Sequence, residues 1–196
     1  MSAARTILTV AAALVVVPLA MRSRESAPAA AAITSSAIVQ FEEGQASPAD
    51  IRAFVAAVRG SNAIQCEIVL QSFNSWSSNH APDRDSLAWR ITMVTHRRIT
   101  SPELVPDLVT AMKSGDACAA RVAARMLGRS ELQPARRELL SALGDSDAQV
   151  RQLAAIGLGF SNDSTTSRQL VGALADRDAR VRAAAAWALG AVHEHQ

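Results

Sequence analysis

Metal binding, nucleophilic catalysis and phosphate capture each require particular residue types at particular spacings, and this chain offers few of them. The densest group of metal-ligand types is His193, Glu194 and His195, at the C-terminal edge of the sequence. Terminal residues are poorly tied down unless packed, so this group reads as a solvated tail rather than a ligand set. The pairs Asp145/Asp147 and Asp176/Asp178 have the spacing of acidic cation ligands. They fall where a turn meets a helix start, and turn formation plus capping accounts for both. Ser72, Ser75, Ser77 and Ser78 lie in no Gly-x-Ser-x-Gly context and have no nearby base to activate them. No glycine-rich phosphate loop occurs. Cys66 and Cys118 are too few for a disulfide framework or a cysteine-built zinc site. Reactive and paired roles stay open for them, and a packing role fits best, because cysteine is among the most buried residue types. No catalytic, cofactor-binding or metal-binding residue is assigned on this reading, and no cofactor is expected.

The elements that would position any site follow from an internal repeat. The segments 116–128, 147–159 and 178–190 align with a step of 31: Asp116, Asp147 and Asp178 share one column, and Gly128, Gly159 and Gly190 another. The preceding segments keep that step, with Leu108, Leu139 and Leu170 in one apolar column and Met112, Leu143 and Leu174 in a second. Two apolar helical patterns per unit of this length predict an all-α solenoid, in which no unit can bury its apolar face alone. The Asp is expected to cap the second helix of each unit, and the Gly to end it in a left-handed cap. Val150 and Val181, Leu153 with Ala154, Ala184 with Ala185, and Leu158 with Leu189 make the buried stripe. Arg151 and Arg182 lie one turn after the cap, within reach of it or of an acidic turn residue in a neighbouring unit; Ala120 takes their place in the first of the three units. Upstream the pattern decays. Phe54, Val55 and Val58 reproduce a first helix, Asn62 a cap, and Ile68, Val69 and Phe73 a second stripe, whereas Thr95, His96 and Arg97 replace the expected apolar end and 75–83 has no helical period. About four and a half units result.

Composition agrees with helices. The chain of 196 residues is 49% apolar but only 4% aromatic and lacks Tyr, so Ala, Leu and Val supply its core, and a formal charge of +2 does not mark an electrostatic nucleic-acid binder. At the N-terminus, Arg5 precedes an uncharged run from Thr6 to Met21 and then an Ala- and Ser-rich stretch, the layout of an export signal. The run is shorter than the roughly twenty residues of a spanning helix, which favours cleavage over a permanent anchor. Arg22 and Arg24 weaken the export orientation. The expected location is periplasmic or secreted, either free or held to the membrane by the N-terminus.

At Asp147, Val150, Arg151, Ala154, Leu158 and Gly159, and again at Asp178, Val181, Arg182, Ala185, Leu189 and Gly190, the chain resembles the HEAT-like repeats first described in phycobilisome lyases. The resemblance is close over 102–192 and weak over 48–97. It implies a right-handed α-solenoid, organised as a signal peptide or anchor (1–29), a linker (30–47), degenerate repeats (48–98) and regular repeats (99–196). Such repeats occur in bilin lyase subunits, deoxyhypusine hydroxylase, alkylpurine DNA glycosylases and many bacterial proteins that bind other proteins, so they do not choose a function. The hydroxylase holds two irons on several His-Glu pairs, and this chain has one, His193-Glu194. An enzyme or enzyme subunit of the lyase or hydroxylase kind, its site borrowed from a partner chain or from His80, Asp83 and Asp85, is the alternative to a non-catalytic scaffold.

The expected binding strip lies on the second helices, opposite the buried stripe. The column nine positions after the cap contains Val94, Arg125, Ile156 and Trp187; Arg90, Arg121 and Gln152 flank it on one side, and Cys118, Gln149 and Arg180 on the other. The resemblance implies that second helices line the concave side. Arg121, Arg125, Gln152, Ile156, Arg180 and Trp187 are the expected contacts to a protein or peptide partner, since exposed Ile and Trp among Arg residues is a composition enriched in binding surfaces. Trp187 has a second expected role, covering the end of the last helix, where little chain follows it.

Overall fold

The computed structural model describes residues 47–73, 91, 94–96, 98–161 and 163–194, with the backbone alone for 193 and 194. The apolar run 6–21, the residues Arg90, His80, Asp83 and Asp85, and the side chains of His193, Glu194 and His195 fall outside this description. Helices α1 (Pro48–Ala57) and α2 (Ala63–Ser72) come first in the chain. The next, α3 (Val105–Met112), is entered through a 3-10 turn at Pro102–Leu104 and pairs with α4 (Ala117–Arg129). Then α5 (Gln133–Ala142) pairs with α6 (Ala148–Gly159), and α7 (Ser167–Ala173) with α8 (Ala179–Glu194). No strand occurs among the described residues. The architecture is an α-solenoid. The second helices α4, α6 and α8 pack directly on one another in sequence, with α2 against α4, whereas the first helices meet far less intimately. This closely packed row is the inner row, and its open side the inner face.

Helix starts are set by side-chain caps. Ser47 and Asp50 form a reciprocal capping box on α1, and Asn62 and Gln65 another on α2. Asp116 accepts from the N–H groups of Cys118 and Ala119, and Asp147 from that of Gln149. The paired aspartates are turn devices: the N–H of Asp147 donates to Asp145 Oδ1 at 3.0 Å, and that of Asp178 to Asp176 Oδ1 at 2.8 Å. One feature reaches between units. The turn after α1 passes through Gly60 at φ +69°, a conformation that favours glycine, and its N–H donates to Asp116 Oδ2 at 2.8 Å.

Phe54, Val58, Leu108, Met112, Leu127, Leu139, Leu158 and Leu170 are all under 2% exposed, and Ala123, Ala124, Ala154, Ala155, Ala185 and Ala188 let the inner row pack closely. The glycine column corrects an expectation. Gly128, Gly159 and Gly190 do not end helices in a left-handed conformation; all three lie within helices, and none has positive φ. Two of them mark close approach instead. A Cβ on Gly128 would stand 2.0 Å from the carbonyl oxygen of Gly157, and one on Gly159 would stand 2.6 Å from the Trp187 ring. On α2 the buried stripe is Cys66, Val69, Leu70 and Phe73, while Ile68, expected in it, is 55% exposed, because it sits two residues, or 200°, from Cys66.

Arg151 is the polar joint of the regular units. Almost fully buried, it forks onto Asp176 in the next unit's turn at 2.8 and 3.0 Å, and donates to the carbonyls of Asp145 and Ser146. Arg182 makes the equivalent carbonyl contacts, to Asp176 and Arg177, from an exposed position. At the degenerate end the joint is covalent. Cys66 of α2 and Cys118 of α4 form a disulfide, with Cα atoms 5.5 Å apart. Both are buried, as the packing role requires, and the structure adds the bond that packing alone left open.

Candidate partner-binding site

The inner face of α4, α6 and α8 carries a groove of about 290 Å³. Arg125, Gln152, Ile156, Arg180 and Trp187 all line it, with Ala184 in its wall. Helical spacing explains the convergence. Arg125, Ile156 and Trp187 occupy the same register on three adjacent helices, and packing those helices side by side turns a column in sequence into a row in space. Arg121, one turn before Arg125, is not a lining residue; its guanidinium lies 3.5 Å from Glu67 of α2. Val94, placed in the same column by sequence, is fully buried and unavailable to a partner. Cys118 is likewise buried, in the disulfide.

Aromatic rings hold the arginines in place. Phe73, which follows α2, and Phe160, which follows α6, meet edge to face across the end of α4 with centroids 6.1 Å apart. The Arg125 guanidinium lies 5.9 Å from the Phe73 centroid and 5.3 Å from that of Phe160, and Arg129 lies 5.3 and 5.4 Å from the same two rings. Trp187 extends the row, tilted against Phe160 at 5.3 Å, while 46% of its surface stays open. It thus packs and presents at once. Its inner edge fits because Gly159 has no side chain.

The two arginines differ in how their charge is met. Arg129 donates to the carbonyls of Thr95 and Phe73. Arg125 donates to the Arg121 carbonyl at 3.2 Å, and its Nε is shut off from solvent with no hydrogen-bond partner among the described residues. Burial, reinforced by the neighbouring Arg121, brings the Arg125 pKa down to about 10. The charge survives at neutral pH, held by ring faces and favoured at a distance by Glu67, with no direct ion pair to a carboxylate among the described residues. Arg180, by contrast, already pairs with Asp178 at 2.9 Å.

The stretch that forms most of this groove has known relatives as a family. Residues 136–196 match the family model of HEAT repeats. The match begins inside α5 and runs through α8, so the pairs α5–α6 and α7–α8 are similar to HEAT repeats, and α4, which supplies Arg125, packs on them from the N-terminal side. No curated protein matches the chain. HEAT units commonly serve as protein-interaction scaffolds. Phe160 and Arg129 were not foreseen from the sequence, because the position after each repeat glycine was taken to lie past the helix end, and Phe73 was foreseen as a member of the buried stripe but not as a ring beneath the arginines. Nor was Glu67 foreseen, although extending the Arg121 and Gln152 column back to the Asn62 unit reaches it.

Proposed function

We propose that the chain is a non-catalytic scaffold that binds a protein or peptide partner on the inner face of its second helices, at Arg121, Arg125, Gln152, Ile156, Arg180 and Trp187. The carrying observation is the groove itself: five of these six residues line one depression, with a half-open Trp at one end and a ring-held Arg at the other. Aromatic and arginine side chains of this kind supply most binding energy in interfaces, because they bury large area at low entropic cost. The finer likeness to the phycobilisome-lyase type of HEAT repeat is supported by the period of 31 and the Asp and Arg columns. We place the protein in the periplasm or outside the cell. The apolar run behind Arg5 supports this, and so does the Cys66–Cys118 bond, since disulfides persist in oxidising compartments.

Site-directed photo-crosslinking tests the reading. A photoreactive residue at Gln152 is expected to give a discrete adduct in the host envelope, and one at Glu138, on the exposed side of α5, none. Equal labelling from both positions refutes an inner-face site.

A further inference from the structure

Resting on that reading, we infer that the groove selects an extended acidic peptide segment, its carboxylate seated at Arg125 and an aliphatic or aromatic side chain seated between Ile156 and Trp187. The inner face is graded in polarity along the solenoid. Glu67 and Arg121 offset each other on α2 and α4, Arg125 follows with its Nε unbonded and no direct ion pair among the described residues, Glu67 favouring its charge only from beyond contact, and Gln152, Ile156 and Trp187 make the remainder apolar or neutral. Arg180, at the far rim, is neutralised by Asp178. Among the described residues the groove therefore offers a cation without a direct ion pair, beside an apolar surface that is half open.

Desolvation decides the sign of the ligand. The cost of stripping water from Arg125 is already met in the unbound protein, so an incoming carboxylate finds a cation whose own dehydration adds little further penalty. A basic segment meets the same charge with repulsion, and a neutral one leaves it unpaired. Geometry sets the ligand's spacing. Neighbouring helix axes lie about 8–10 Å apart, and an extended peptide advances about 3.3 Å per residue, so acid and apolar side chains about four positions apart match the span of one and a half helix spacings from α4 to the gap between α6 and α8.

Fluorescence anisotropy on labelled synthetic peptides tests this. The probes carry Asp or Glu four positions from Phe or Leu; control peptides replace the acid by its amide, or the apolar residue by Ala. The acidic, apolar peptides are expected to bind, and the amide controls at least tenfold more weakly. Arg125→Gln is expected to lose the preference for acid over amide, and Trp187→Ala the preference for Phe over Ala. Because Arg125 is packed between rings, the variant Arg180→Glu, at an exposed side chain, supplies a second reading: it keeps the fold and weakens acidic peptides by a similar factor while sparing the amides. Equal binding of acid and amide, acidic binding indifferent to all three substitutions, or no binding by any probe overturns the inference. The scaffold reading stands or falls separately, on the Gln152 crosslink.

Discussion

At the scale of the residue, Gly128 and Gly190 share a repeat position and have opposite reasons to be there. A methyl group on Gly128 collides with the backbone of α6, whereas one on Gly190 meets nothing within 4 Å. Gly128→Ala must push two inner helices apart and is expected to cost about 2–3 kcal/mol. Gly190→Ala only removes backbone freedom from an exposed helical site and is expected to stabilise by about 0.5–1 kcal/mol. Urea unfolding of the two variants checks both values, and like-signed effects would refute the close-approach account. No rule of local sequence separates these glycines, since both sit in the same motif. What separates them is the neighbour, which the repeat pattern implies for Gly128 and leaves unspecified for Gly190.

At the scale of the element, the ends of the inner helices are governed by aspartates with depressed pKa values. Asp178 is pulled from an ordinary 3.8 to about 2 by the Arg180 guanidinium and backbone N–H. Asp145 is lowered by the Asp147 N–H and by Lys113, and Asp176 by Arg151. Burial pushes Asp116 upward, but N–H groups of Ala119, Gly60 and Cys118 outweigh it and leave the carboxyl lowered. Groups with depressed folded values stabilise fully above their unfolded values and lose that contribution as pH falls through the folded ones. The melting temperature is therefore expected to hold down to about pH 4.5 and to drop between about 4 and 2. Asp178→Asn keeps a capping side chain without a titrating one, so its melting temperature should fall below the parent's at pH 6 and converge with it at pH 2. These aspartates were legible in sequence as caps and turns because capping is local chemistry. Helix pairing was equally legible, from apolar columns spaced by 31. The groove's row was readable too, as a column, but not its support. Phe73 and Phe160 are 87 positions apart (160 − 73) and meet only because α2 and α6 flank one end of α4. Ile68 and Val94 were misplaced for a related reason: in degenerate units the register drifts, and burial follows the neighbour that is present rather than the repeat average.

At the scale of the whole molecule, stability is shared between neighbours, more tightly at one end than at the other. Deleting 163–196 removes α7 and α8, uncovers the inner faces of α6 around Ala155 and Leu158, and strips Arg151 of Asp176. The truncated protein is expected to aggregate or to melt far below the parent; an equally stable monomer contradicts nearest-neighbour stabilisation. The degenerate end relies on its disulfide. Closing a loop with a sequence separation of 52 is expected to contribute about 4 kcal/mol, so Cys66→Ser with Cys118→Ser should lower the urea midpoint by a matching amount, and reductant is expected to do the same to the parent. That bond also changes what a protease can do. Residues 67–117 lie within a covalent ring, and a single cut anywhere in it opens the ring without dividing the molecule. Peptides clipped there would stay clasped, migrate as one species on a denaturing gel, and part only when the sulfurs are reduced. Wherever a protease reaches this half of the molecule, a nick is a change of connectivity rather than a division of the chain.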